Sequence, residues 1–147
     1  MVGCANYSGP QAKPYESKQA LPTSETDTKM YLTKVVNDVI ASITGVANML
    51  LIYQEDSITP TADSKEALIQ QLDQAMKTVE KNITYLDSFT PAKTYKEKRD
   101  GIVRLCKDFK TNLKDIKKAL TDNNFKELSK QYRIFEDFRS QLQTASL

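Results

Sequence analysis

Apolar residues recur every three or four positions in four long segments of this chain, and this periodicity constrains the fold more than any other feature. The segments cover residues 32–53, 68–86, 95–120 and 125–142. Three-four spacing places side chains on one face of an α-helix, whereas a half-buried strand alternates with a period of two, which no segment does. The sequence therefore predicts an all-α protein built from four amphipathic helices.

Local signals predict where the first two helices begin and end. Ser24 and Asp27 form a capping-box-like pair that satisfies free backbone amides at the start of the first helix. This helix is expected to stop before Pro60, because the residue preceding a proline is disfavoured in helical geometry. The same capping pattern predicts that the second helix starts at Asp63, and its end is expected around Ser88.

Proline and asparagine residues mark the boundaries in the second half of the chain. Pro91 is predicted to occupy the first position of the third helix, where its missing backbone N–H costs nothing. The Asp-Asn-Asn sequence at residues 122–124 predicts a turn and a cap before the fourth helix. Short connections favour antiparallel neighbours, so residues 24–147 are predicted to form an up-down-up-down antiparallel four-helix bundle. A three-helix bundle with the fourth helix detached is the alternative.

Composition narrows the chemistry that such a bundle can perform. The 147 residues include no histidine, which removes the commonest general acid–base group and the commonest transition-metal ligand. The sequence has no glycine-rich phosphate loop, no serine elbow and no stretch approaching the ~18 apolar residues of a membrane span. We therefore expect no catalytic residue, no metal and no cofactor. Cys106, on the apolar stripe of the third helix, is interpreted as a small buried hydrophobic residue.

Charge is distributed unevenly along the chain. Residues 23–90 carry five lysines and ten acidic residues, whereas residues 91–120 carry ten basic residues and four acidic ones. Four lysines of the third helix recur at three-four spacing beside its apolar face, and we call them the lysine stripe: Lys107, Lys110, Lys114 and Lys117.

Two interpretations of the lysine stripe stay open. It is either a solvated face partly balanced by acidic residues of neighbouring helices or a contact surface for anionic headgroups or an anionic envelope polymer. Nucleic acid is not expected as a partner, because no aromatic residues are interleaved with the lysines to stack on bases.

The N-terminal residues have a different character from the rest. Residues 5–23 mix turn formers and charges without any periodicity, so residues 1–23 are predicted to form a disordered tether, whose 19-residue linker has an r.m.s. reach of ~25 Å. Val2-Gly3-Cys4 resembles the end of a bacterial lipobox, in which a small residue precedes a cysteine that becomes lipidated. Such a match implies a signal peptide that is removed before the cysteine becomes the mature amino terminus.

A second segment resembles the same kind of protein. Residues 86–95, Leu-Asp-Ser-Phe-Thr-Pro-Ala-Lys-Thr-Tyr, precede a long lysine-rich amphipathic helix. This arrangement resembles the interhelical segment of small helical-bundle lipoproteins of Gram-positive bacteria, in which a Thr-Pro turn divides two long helices. The chain departs from that pattern because it has no histidine after the turn.

The resemblance implies a location and a role. Cys4 would carry acyl chains of the palmitate type and hold the bundle on the outer face of the cytoplasmic membrane. We expect a non-catalytic interaction or scaffolding module at the bacterial cell surface. Its expected partners are the membrane and an envelope protein or anionic polymer, and its oligomeric state is left open.

The alternative function is a small-ligand carrier that serves a membrane transporter. A carrier requires a pocket of ~300 Å³ or more with a few convergent polar groups, whereas a scaffold requires a filled core. Four aromatic residues fit either a ligand groove or the core, and core packing is the favoured interpretation: Phe125, Tyr132, Phe135 and Phe138.

Overall fold

The protein is a bundle of four α-helices. The computed structural model describes residues 21–55 and 61–145, apart from the side chains of residues 52–55. Helix α1 packs against α2, α2 against α3 and α3 against α4, and α4 returns to pack against α1. The predicted up-down-up-down four-helix bundle is therefore confirmed, and the alternative with a detached fourth helix is wrong. The helices are α1 Glu25–Glu55, α2 Ala62–Asp87, α3 Lys96–Thr121 and α4 Phe125–Gln143.

The start of α1 follows the sequence prediction, but the start of α2 does not. Ser24 Oγ accepts a hydrogen bond from the Asp27 backbone N–H at 3.1 Å, as a capping residue should. In α2 the cap is Thr61 instead of Asp63, because Thr61 has extended backbone geometry and its Oγ1 accepts the Ser64 N–H at 3.1 Å. The helix therefore begins at Ala62, ahead of the predicted residue.

The predicted start of α3 is also wrong. Pro91 lies in the connection, and α3 begins at Lys96 after a single 3₁₀ turn over Lys93–Tyr95. The Thr90 carbonyl accepts the Thr23 N–H at 2.8 Å, and the Ala92 N–H donates to Thr28 Oγ1 at 2.9 Å. These bonds hold the connection against α1 and the residue Thr23 before it, and Ala92 has non-helical backbone geometry with a ψ of 144°. The end of α2 at Asp87, capped by Ser88, agrees with the prediction.

The turn between α3 and α4 forms as the sequence predicts. Asn123 has a φ of 55°, a left-handed conformation that asparagine tolerates better than most residues. Asn124 caps α4, since its Oδ1 accepts the Glu127 N–H at 3.1 Å.

The apolar stripes of all four helices meet in one core. Phe109 and Phe135 are its largest members, and their rings contact edge to face with centroids 5.5 Å apart. The other largest fully buried side chains come from every helix: Leu32, Ile43, Leu50, Leu68, Leu72, Leu86, Leu113, Ile116, Leu120 and Leu128.

One polar pair interrupts the core between α3 and α4. Asn112 Nδ2 donates to the Gln131 carbonyl at 3.0 Å and to Gln131 Oε1 at 2.9 Å. Gln131 Nε2 in turn donates to Glu127 at 2.8 Å. Because these amides pair only in this alignment, they favour a single register of the two helices.

Helix α1 is the most apolar of the four. An 18-residue window within Glu25–Leu51 has a mean hydropathy of 1.3, so by length and composition alone this helix could cross a membrane. The expectation that no stretch approaches a membrane span was therefore too strict for this helix. Its buried face packs in the bundle core, with Val35, Val39 and Ile43 fully covered, so core packing accounts for much of this apolar character.

The alternating helix directions give the bundle two ends that differ in construction. We call one the proximal end, because the described chain begins there, and it comprises residues 21–34, 85–100 and 138–145. The opposite, distal end comprises residues 45–55, 61–72 and 112–128.

Candidate functional site

The lysine stripe lies along the seam between α3 and α2. Lys110 Nζ is 2.5 Å from Glu80 Oε2, and Lys117 Nζ is 2.8 Å from Asp73 Oδ1. The hydrogen bond and charge of Lys110 hold the pKa of Glu80 below its ordinary value. Both lysines and both acids remain about half exposed, so solvent screens the two pairs and they contribute little to stability. Two of the four lysines therefore have acidic partners on the neighbouring helix.

The other two lysines of the stripe face solvent. Lys107 and Lys114 are exposed, and neither forms an ion pair within residues 21–55 and 61–145. Arg104 is also exposed and lies with Lys107 beside a surface depression of about 330 Å³. Arg104, Lys107 and Lys114 are therefore exposed cations on one helix.

Cys106 is part of the core, as the sequence predicts. Its side chain is fully buried, and burial raises the pKa of the thiol to about 11. A thiol is nucleophilic only as the thiolate, so Cys106 is unreactive at neutral pH. In the described part of the chain, no group of three or more cysteine or acidic residues is placed to hold a metal ion.

The aromatic run of α4 lies mostly in the core. Phe135 is fully buried, and Tyr132 and Phe138 pack against the core from its edge. Phe125 is 42% exposed, so its placement on the core stripe was wrong. It is the first residue of α4, directly after the turn, at the end of the bundle, where much of its side chain is open to solvent.

The proximal end carries a groove that sequence patterns did not indicate. Its volume is about 580 Å³, and it is open to solvent along one side. The apolar part of its wall comes from Pro22, Phe89 and Pro91. Polar and charged groups complete the wall: Asp87, Thr90, Lys93, Lys96 and Arg99.

Arg99 lines this groove, and hydrogen bonds fix the position of its guanidinium group. Its Nη1 donates to the Leu86 carbonyl at 2.8 Å and lies 3.4 Å from the Phe89 carbonyl. Its Nε donates to Asp100 at 3.0 Å. Because the guanidinium binds carbonyls at the C-terminal end of α2, it fixes the chain that leaves this helix toward the groove.

Beside the groove lies a cluster of three half-buried aromatic rings. Tyr31 contacts Phe89 and Tyr85 edge to face, with centroid separations of 5.1 and 6.0 Å. Tyr85 and Phe89 also contact each other at 5.8 Å, and Lys34 Nζ lies 5.0 Å from the centroid of Tyr85. The proximal end therefore joins apolar, aromatic and basic side chains on one partly exposed surface.

The predicted lipidation residue, Cys4, lies outside the described residues. The chain that leads from it enters the described part at Leu21, beside the groove that Pro22 helps to line. In comparisons with known proteins, no family model, curated protein or solved structure matches this chain. The class that the fold itself defines is an all-α four-helix bundle.

The groove and the aromatic cluster escaped the sequence analysis for a physical reason. Both depend on contacts between α1 and the α2–α3 connection, such as the bond between Thr28 and Ala92, which lie 64 residues apart. Periodicity reports only which face of a helix is apolar. The aromatic residue inside the Asp-Ser-Phe-Thr-Pro connection, Phe89, was the one available signal, because a loop seldom keeps such a side chain without a packing partner.

Proposed function

We propose that this chain is a lipid-anchored, extracytoplasmic module of the bacterial cell surface, with Cys4 as its anchor and no catalytic activity of its own. The observation that carries the proposal is the small-residue pair Val2-Gly3 before Cys4, followed by a long polar segment that leads into a compact helical bundle. Several acyl chains at one cysteine would give firm attachment, because each buried methylene contributes ~0.8 kcal/mol.

The chemistry of the bundle supports a binding role better than a catalytic one. Its described interior is mainly apolar, its buried polar side chains being Thr28, Asn82, Asn112 and Gln131, and Cys106 is buried as a thiol. Exposed charged residues pair across a helix seam, as Lys110 does with Glu80, or along one helix, as Lys118 does with Asp122, or face solvent. Such a surface suits contact with another macromolecule, and the sequence has no histidine for proton transfer.

Membrane fractionation after expression from the complete native gene in a bacterial host tests the anchor. Wild-type protein should sediment with membranes, and Cys4→Ala protein should be released. Cys106→Ala is the matched control, because it removes the other cysteine from the core and leaves the proposed anchor intact. A soluble wild-type protein, or a Cys4→Ala protein that stays with the membranes, would contradict the proposal.

The exposed cations of the lysine stripe supply the proposed contact with an anionic envelope polymer. We expect the soluble bundle to bind a poly(glycerol phosphate) polymer in low salt and to lose that binding when Lys107 and Lys114 are both changed to glutamine. The matched control changes Lys110 and Lys117, which already have acidic partners at 2.5 and 2.8 Å. Equal losses in the two double variants would show that the stripe does not act through its unpaired members.

A specific observation also favours the second candidate, a small-ligand carrier. The proximal groove of about 580 Å³ exceeds the ~300 Å³ that a ligand site needs, and it combines apolar and charged wall residues. Titration of the protein with laurate, a fatty acid with an anionic head, tests this function by calorimetry. Saturable one-to-one binding that Phe89→Ala weakens would favour the carrier, and no heat of binding would exclude laurate as its ligand.

A further inference from the structure

The place where the chain enters the bundle is fixed by hydrogen bonds. The Thr23 N–H donates to the Thr90 carbonyl at 2.8 Å, and Thr28 Oγ1 lies 3.4 Å from the Thr23 carbonyl. The chain between Cys4 and Leu21 therefore starts at the proximal end. A fully extended chain of 17 residues spans at most about 60 Å, so an anchored Cys4 limits how far this end of the bundle can lie from the bilayer.

The proximal end also carries the apolar groups that a bilayer interface receives. Leu21 is 88% exposed and Met30 is 56% exposed, the two highest values among the described large hydrophobic residues. Phe89 belongs to both the groove wall and the aromatic cluster, and Pro22 and Pro91 supply the rest of the apolar wall. Tyrosine rings are enriched at membrane interfaces because one edge is apolar and the hydroxyl is hydrated, which fits Tyr31 and Tyr85.

The two ends differ slightly in charge, and the difference favours contact between the proximal end and an anionic surface. The proximal end has seven basic and five acidic residues, whereas the distal end has five of each among the side chains that the structure describes. Lys93 and Lys96 border the groove, although Lys96 also contacts Asp100 at 3.1 Å. An anionic headgroup would therefore meet a weakly positive surface, and apolar contact would contribute more than charge to the free energy of docking.

We propose that the proximal end of the bundle docks on the bilayer to which Cys4 is anchored, with Leu21, Met30 and the groove at the interface. This inference rests on the proposed lipid anchor and adds an orientation to it. Helix α3 has 26 residues, which corresponds to about 40 Å at 1.5 Å per residue. The distal end then stands well above the headgroups, and the lysine stripe runs up the side of the bundle, where it remains accessible to a polymer.

Tryptophan fluorescence tests the orientation directly, because the chain contains no tryptophan. Three single variants place one reporter each: Leu21→Trp and Met30→Trp at the proximal end, and Phe125→Trp as the matched control at the distal end. Each full-length protein is coupled through Cys4 to maleimide lipid in vesicles of phosphatidylcholine and phosphatidylglycerol that contain brominated acyl chains. Cys106 stays unmodified because it is buried and its thiol pKa is about 11.

The proposal predicts that both proximal reporters shift to shorter wavelength and lose about half of their fluorescence or more, since docked surfaces enter the interface by ~5–10 Å. The Phe125→Trp reporter should keep its intensity. Equal quenching at both ends, or none at the proximal end, would overturn the proposal. A third outcome is a blue shift that occurs without quenching and increases with the density of protein on the vesicles. It would assign this surface to contact with a second copy of the chain and would also overturn the proposal.

Failure of the orientation and failure of the anchor are distinguishable. The coupling to vesicles is chemical, so the fluorescence result does not depend on lipidation in the cell. A protein that is lipidated in bacteria but unquenched on vesicles has the anchor without the docking surface. A protein that is not lipidated in bacteria removes the anchor whatever the fluorescence shows.

Discussion

The proximal and distal ends of this bundle close the same four helices in different ways. The distal end uses local devices: Thr61 caps α2 from the adjacent position, and Asn123 and Asn124 turn the chain and cap α4. The proximal end has a local cap at Ser24 but adds long-range contacts, in which Thr28 of α1 accepts the Ala92 N–H. Short sequence patterns therefore predict much of the distal end, whereas the groove and the aromatic cluster of the proximal end form only when α1 packs against the α2–α3 connection.

The candidate functional surface lies at the end that is built from long-range contacts. The proximal end carries the groove, the aromatic cluster and the entry of the N-terminal chain. The distal end is a turn with polar side chains such as Lys65, whose Nζ donates to Asn123 Oδ1 at 2.7 Å. Long-range construction holds several chain segments together in one place, which is what a binding surface requires.

The largest expected effects concern the core, which the two ends should share. Leu86→Ala at the proximal end and Leu120→Ala at the distal end each remove a fully buried side chain, and each should lower the free energy of unfolding by ~2–5 kcal/mol. Chemical denaturation followed by circular dichroism should give one cooperative transition for both variants. Two separate transitions in either variant would show that the ends fold independently.

A smaller loss of stability is expected when the hydroxyl of Thr28, at the proximal end, is removed. Thr28 is fully buried, and Thr28→Val keeps its shape but leaves the Ala92 N–H without its acceptor at 2.9 Å. The expected cost is ~1–3 kcal/mol, with faster hydrogen exchange at Thr23 and Ala92. Thr28→Ser is the control, because it retains the hydroxyl and should protect both amides. Unchanged exchange in Thr28→Val would show that this bond does not hold the proximal end.

Removing the matched hydroxyl at the distal end, that of Thr61, should lower stability less and should affect only the start of α2. Thr61→Ala removes the cap that accepts the Ser64 N–H at 3.1 Å, with an expected cost of ~1 kcal/mol. Exchange should rise in the first turn of α2 and stay unchanged at the proximal end. If the Thr23 amide also loses protection, the two ends are coupled more tightly than their construction implies.

The smallest effects concern exposed ion pairs, and the two ends should respond at opposite extremes of pH. Hydrogen bonds from Lys96 and then Arg99 hold the pKa of Asp100 below its ordinary value of 3.8. This contribution to stability is present above pH 3.8 and is lost as the pH falls through the lower folded value. At the distal end, the hydrogen bond to Asp122 raises the pKa of Lys118 above 10.5, so its contribution is present below that pH and is lost as the pH rises through the folded value.

Two neutral variants test these signs. Asp100→Asn should differ from wild type in stability at neutral pH and converge with it in strong acid, whereas Lys118→Gln should converge with it in strong base. Thermal unfolding across the pH range measures both differences. If the stability of Asp100→Asn met that of wild type in strong base, or that of Lys118→Gln met it in strong acid, the assignment of these pairs would be contradicted.

The contrast between the ends explains how much of the molecule the sequence predicts. The core stripes, the caps at Ser24 and Asn124 and the burial of Cys106 follow from local rules, because helix periodicity and capping depend on residues three or four apart. Pro91 misled the prediction because its neighbour Thr90 bonds to Thr23, just before α1, and its neighbour Ala92 bonds to Thr28 within α1, each more than sixty residues away. The proximal surface was therefore missed, although its residues were all visible in the sequence.

Sequence spacing also predicts the lysine stripe only in part, because it does not report contacts between helices. Spacing predicts correctly that the four lysines share one side of α3, beside its apolar face. It does not reveal which of them meet an acid on α2, since the pairing of Lys110 with Glu80 depends on the register of two antiparallel helices. Only that register separates the two paired lysines from Lys107 and Lys114.

The most direct test of the central claim, that this bundle is held at a membrane through Cys4, is the intact mass of the protein purified from bacteria that express its complete native gene. The account predicts a mature protein that begins at Cys4 and carries the added mass of acyl chains, and a Cys4→Ala protein without that mass. An unmodified wild-type protein would contradict the anchor, and with it the reason for placing the proximal end at a bilayer.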